Sequence, residues 1–142
     1  MRETPLPIIA LLVIIILSGI TLLLIIALTR GKAKRLDRVK YRADWLAIEN
    51  DLDNHNMATY QFAILSADKL FDRALQESGY DGTTTAERIK SAERDLRNSK
   101  AVWAAHKLRN RIAHEVDTKI NLKVLKQMLN VYKNALKSIG AI

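Results

Sequence analysis

Apolar residues along this chain follow two regimes. From Ile8 to Leu28, 21 consecutive residues carry no charge, and only Ser18, Gly19 and Thr21 interrupt the aliphatic run. A helix of that length crosses the ~30 Å hydrocarbon core of a bilayer, so the run is predicted to be a transmembrane helix. A cleavable signal peptide fits less well, because its apolar region covers about 7–15 residues ahead of a small-residue cleavage site. Beyond Leu36 the apolar positions instead recur every three or four residues, the period of helices with one buried face.

That second regime divides into helices at its polar breaks. The first is predicted from Leu36, with Leu36, Val39, Ala43, Leu46 and Asn50 as one stripe and Tyr41, Trp45, Ile48 and Leu52 beside it. A turn is expected at Asp53-Asn54-His55-Asn56, where His55 is read as a surface residue. The next helix turns Tyr60, Ala63, Ile64, Ala67, Leu70, Phe71 and Ala74 inward and ends near Ser78-Gly79. Thr84-Thr85-Ala86-Glu87 matches a capping box and opens a polar helix over about residues 84–97. Ser99 is the expected cap of the following helix, which partly buries Val102, Ala105, Leu108 and Ile112. Asp117-Thr118 is the expected cap of the last helix. There Leu122, Leu125, Leu129, Tyr132, Leu136 and Ile139 recur at heptad spacing, widened by Val124, Met128, Val131 and Ala135.

No strand-like alternation or internal repeat occurs. The expected fold is therefore all-α: one N-terminal transmembrane helix, then an antiparallel bundle of four main helices plus a short polar one. Its expected divisions are a tail (1–7), a membrane helix (8–28), a basic juxtamembrane segment (29–35) and a cytoplasmic helical domain (36–142).

Charge sharpens this picture. The net +8 is uneven. Residues 30–42 hold seven basic groups against Asp37, a net of +6; residues 43–84 hold two against eight acids, a net of −6; residues 85–142 hold thirteen against five, a net of +8. Because the tail offers only Arg2, offset by Glu3, the positive-inside rule places the N-terminus outside and the domain in the cytoplasm of a single-pass plasma-membrane protein. The plainest role of the basic flank is to set topology; anionic headgroups are the other partner it could meet. Cysteine is absent and the three histidines are scattered, so neither a metal site nor a cofactor is expected.

Potentially reactive side chains cluster once, within residues 101–117, where one helix carries His106, Arg109, Asn110, Arg111 and His114. Helical geometry stacks Asn110 and His114 one turn apart, with Arg109 beside them. Leu-Arg-Asn-Arg-Ile-Ala-His resembles the signature of the HEPN superfamily (higher eukaryotes and prokaryotes nucleotide-binding): an Arg, here Arg109, a polar residue, here Asn110, and after a short spacer a His, here His114. The motif stands just before the last helix, as in that family. The resemblance covers only the last hundred or so residues.

It implies a metal-independent endoribonuclease or an RNA- or nucleotide-binding domain, dimeric, with two motifs meeting at the interface and the ribose 2′-OH as nucleophile. Arg109, Asn110 and His114 are then the catalytic candidates, with His106, one turn earlier, a secondary one. His106 is otherwise read as a hydrogen-bonded packing residue. Arg111 and the row Lys119, Lys123 and Lys126 are candidate phosphate contacts. Glu115, directly after the His, departs from many members. The expected partners are the membrane, RNA, and either a second copy or a protein in a hetero-complex; the wide apolar face of the last helix also argues for assembly. The alternative is a non-catalytic, membrane-tethered interaction module, in which Arg109 pairs with acids of the second domain helix.

Overall fold

The computed structural model describes residues 6–29, 36–53, 56–115 and 117–142, all helix, turn or loop without a strand. The chain divides into two units, residues 1–32 and 33–142, each described here by itself.

The first unit is helix α1, Leu6–Thr29. Its window Ile8–Ile25 has a mean hydropathy of 3.2 and buries none of its residues, so by length and composition this helix is apolar enough to cross a membrane. The two hydroxyls within that window are satisfied inside the helix: Ser18 Oγ donates to the Ile15 carbonyl at 2.8 Å and Thr21 Oγ1 to the Leu17 carbonyl at 2.7 Å. In hydrocarbon, where water offers no partner, such back-bonding removes the cost of a bare polar group.

The second unit is a bundle of four main helices, α2 (Arg38–Asn50), α3 (Met57–Glu77), α5 (Ser99–His114) and α6 (Leu122–Ser138), with the short α4 (Thr85–Ser91) and a 3₁₀ turn, Asp51–Asp53. Helix α3 is central and packs against each of the other four. All seven residues expected to face inward on α3 are buried. So are Leu125, Leu129, Tyr132 and Leu136 of α6, with Met128 and Ala135 between them. Phe71 and Tyr132 meet at the centre, ring centroids 6.0 Å apart and tilted by 53°, a geometry aromatic pairs favour.

Several boundaries differ from expectation. On α2 the buried stripe is Tyr41 and Trp45, with Ile48 and Leu52 half-buried, whereas Val39 and Leu46 face outward at 80% and 55% exposure. The aromatic stripe wins because Tyr and Trp remove far more apolar area from water than Val and Ala. The capping box on α4 forms as read, Thr84 Oγ1 accepting from Glu87 N and Glu87 Oε2 from Thr84 N, each at 3.2 Å. That helix nevertheless stops at Ser91, and Ala92 to Asp95 continue as turns. The cap of α5 is Asn98 rather than Ser99, accepting from Ala101 N at 3.1 Å. The cap of α6 is Asn121, accepting from Val124 N at 2.9 Å, and not Asp117-Thr118. Thr118 is drawn inward instead, 5% exposed, its carbonyl taken by Gln61 Nε2 at 2.8 Å. The bundle also covers most of the wide face of α6, where only Leu122 is an exposed large apolar residue. His55 lies outside the described residues.

Candidate functional site

The inward stripe of α3 contains one misfit, Asp68, which follows Ala67 and precedes Leu70 and Phe71 and is 1% exposed. A carboxylate there is tolerable only if donors surround it. They come from two helices. His106 Nδ1 of α5 and the Tyr132 hydroxyl of α6 both lie 2.9 Å from Asp68 Oδ1, and Arg109 Nε of α5 lies 3.0 Å from Oδ2. The fixed charge of Arg109 offsets that of Asp68.

The contacts run on into a closed ring. Arg109 NH1 donates to Asn110 Oδ1 at 3.1 Å, and Asn110 Nδ2 lies 3.3 Å from His106 Nε2. Hydrogen-bond chemistry fixes the direction of each link. A guanidinium can only donate, so the Asn110 oxygen faces Arg109 and its NH₂ faces the imidazole. His106 Nε2 must then accept, and Nδ1 carries the proton that goes to Asp68. Trp103 closes one side, its ring edge-on to His106 at a centroid distance of 6.4 Å. Burial first, and then the Asp68 charge, hold the Tyr132 hydroxyl proton far more tightly than an ordinary phenol does.

The predicted candidates therefore fall into three groups. Arg109, Asn110 and His106 are brought together: His106 is buried at 7% exposure, while the Arg109 side chain remains 33% exposed. His114, the last residue of α5, is exposed, and no contact among the described residues joins it to Arg109 or Asn110. The peripheral cations are all exposed, but Arg111 is engaged by Glu115 at 3.2 Å, whereas Lys119, Lys123 and Lys126 enter none of the ion pairs among the described residues. Glu115 thus turns to Arg111 and to the Thr118 hydroxyl, and not to the imidazole that precedes it.

Asp68 and Tyr132 are the members of the cluster that sequence reasoning did not single out. Asp68 carried a signal, an acid at a core position of a strongly apolar stripe. Tyr132 carried little, because a tyrosine among leucines reads as a packing residue.

Arg109 is held by an ion pair and one hydrogen bond: Nε lies 3.0 Å from Asp68 Oδ2 without hydrogen-bond alignment, NH1 donates to Asn110, and NH2 takes part in neither contact. A guanidinium fixed in this way pays little further conformational entropy on meeting a phosphate oxygen. Comparison with family models, with curated proteins and with solved structures finds no match to this chain.

Proposed function

We propose that this chain is a membrane-anchored, HEPN-like domain that acts on RNA as a metal-independent endoribonuclease, with α1 spanning the bilayer, the N-terminus outside and the helical domain in the cytoplasm. The observation that carries the reading is the state of Arg109: anchored by Asp68 and Asn110, one-third exposed, and on the same helix as an exposed imidazole, His114. Arg109 receives the scissile phosphate and stabilises the charge that grows on its oxygens. His114 moves protons as the 2′-oxygen attacks phosphorus and the bond to the 5′-oxygen breaks. Asn110 acts through Arg109, which it orients, and Lys119, Lys123 and Lys126 hold the flanking backbone. One imidazole cannot both take the 2′-OH proton and supply the leaving oxygen in the same step, so a second copy of the chain completes the site.

A second reading has its own support. The polar atoms of His106 and Asn110 find partners within the ring and the Arg109 charge is paired with Asp68, as expected of a structural lock in a tethered interaction module.

Incubating the detergent-solubilised full chain with mixed RNA in EDTA separates the two. We expect wild type to cleave, His114→Ala to lose roughly 10²-fold or more in rate, and Lys123→Ala mainly to weaken binding and its salt dependence. No cleavage by wild type, or equal cleavage by wild type and His114→Ala, leaves the interaction module as the reading that stands.

A further inference from the structure

The stripe of α2 that the core rejects is itself organised. Val39 and Leu46 are two turns apart on one face, with Ala43 between them, and all three are exposed. Arg38, Lys40 and Arg42 flank that face, also exposed, and form no ion pair with a carboxylate among the described residues; Arg38 Nε donates to the Gly140 carbonyl at 3.0 Å, which leaves its charge uncompensated. Arg42 and Leu46 also line a groove of about 340 Å³ whose one acid, Glu49, is paired with Lys133 at 2.8 Å, so that unpaired cations and apolar carbon extend to Lys137 and Ile142.

In the helical unit, only Val39, Leu46, Met57, Phe62 and Leu122 are exposed large apolar side chains among the described residues. Two of these five stand on α2, whose exposed charged residues, Arg38, Lys40 and Arg42, are all basic. An apolar strip flanked by lysine and arginine suits the boundary between headgroups and acyl chains: the aliphatic tips enter, and the long basic side chains reach phosphates. Only eight residues separate Thr29 of α1 from Arg38 of α2, a reach of roughly 30 Å at most. The helix is thus tethered near any membrane that α1 enters.

From these observations we propose that the outer face of α2 is a lipid-docking surface, seating Val39 and Leu46 in the interface of a leaflet rich in anionic phospholipid while Arg38, Lys40 and Arg42 bind its headgroups. The proposal rests on membrane insertion of α1 and is independent of the RNA chemistry. A second copy of the chain is the rival occupant, and the charge opposes it: two such faces would set six cations against one another.

The native chain has no cysteine, so single labels can be placed freely. Full-length Leu46→Cys, Ile16→Cys and Arg94→Cys, each carrying an environment-sensitive fluorophore, are reconstituted in phosphatidylglycerol–phosphatidylcholine vesicles and in pure phosphatidylcholine vesicles. Nitroxide lipids report depth, and Ile16→Cys, quenched from the bilayer centre, reports insertion of α1 separately. We expect the Leu46→Cys label to be quenched by shallow nitroxides in the anionic vesicles, several-fold less in phosphatidylcholine or high salt, and the Arg94→Cys label to stay aqueous in all. With α1 inserted, a Leu46→Cys label that is equally aqueous in both vesicle types overturns the proposal. So does a Leu46→Cys disulfide between two copies that forms at high lipid-to-protein ratio, which assigns the face to a dimer. If the Ile16→Cys label is not quenched, the anchor has failed and the docking proposal falls with it.

Discussion

Asp68 joins three helices through one side chain, and its substitutions should separate a buried charge from a buried hydrogen bond. Asp68→Ala leaves the Arg109 charge, one-third exposed, and the two buried donors of His106 and Tyr132 without their partner; each stranded buried donor costs about 1–3 kcal/mol. Tyr132→Phe leaves the carboxylate two partners and should cost only about 1 kcal/mol. Urea unfolding in detergent can follow Trp45 and Trp103, the only tryptophans, both in the helical unit. Equal losses for the two variants would mean that the ring does not stabilise the bundle. Alkaline pH offers a second readout. Burial pushes Tyr41 and Tyr80 up to about 12 from an ordinary 10.0, with Asp95 adding to the effect on Tyr80, and holds Tyr132 higher still. The folded chain therefore keeps protons that the unfolded chain releases above pH 10, so stability complete below pH 10 drains away as pH rises. Tyr132→Phe should flatten that fall by about 1.4 kcal/mol per pH unit, and an unchanged slope would remove Tyr132 from the account. The pairing of Arg109 with an acid of α3 was legible in the sequence. Which acid, and that Asn110 and His106 would close the ring, depends on how α5 is rotated against α3, which spacing along one helix does not encode.

Among the elements, α4 is the one with least intrinsic reason to exist: seven residues are too few for a free helix. Its support is local and tertiary. Glu87 caps the first turn, its carboxyl held below the usual range by the Thr83 N–H, the Thr83 hydroxyl and the Thr84 N–H, while Ile89 is fully buried. Arg88 grips both Asp72 oxygens at 2.9 Å and the Gly82 carbonyl at 2.8 Å. Gly82, at φ 148°, is what lets the chain turn so tightly ahead of the cap; an added Cβ would sit 2.7 Å from both Arg88 N and Glu87 Cβ. Gly82→Ala should therefore cost about 1–3 kcal/mol in urea unfolding, whereas a loss near zero would mean that the turn relaxes freely. The capping box was legible because its residues are contiguous. The buried face of α2 was not, because two apolar stripes compete there, and which one faces inward depends on the neighbours that Tyr41 and Trp45 meet in α3 and α6.

At the scale of the whole molecule, the charge segments and the apolar run together motivate the proposed topology, with the N-terminus outside and the helical domain in the cytoplasm. Carrying the seven basic groups of residues 30–42 across hydrocarbon is opposed both by desolvation and by the membrane potential, whereas the tail with Arg2 and Glu3 presents no comparable barrier. The exposed aliphatic side chains of α1 supply the driving force: fourteen large apolar residues between Ile8 and Ile25 have no cover within the unit. With native cysteine absent, one label after Lys137, at Ser138→Cys, and another in the tail, at Thr4→Cys, read topology directly. In intact cells an impermeant maleimide should reach position 4 and not position 138, and disrupting the membrane should open position 138. Labelling of position 138 from outside intact cells would reverse the orientation and remove cytoplasmic RNA as a substrate. Labelling of both positions only after disruption would show that α1 does not present its N-terminus outside.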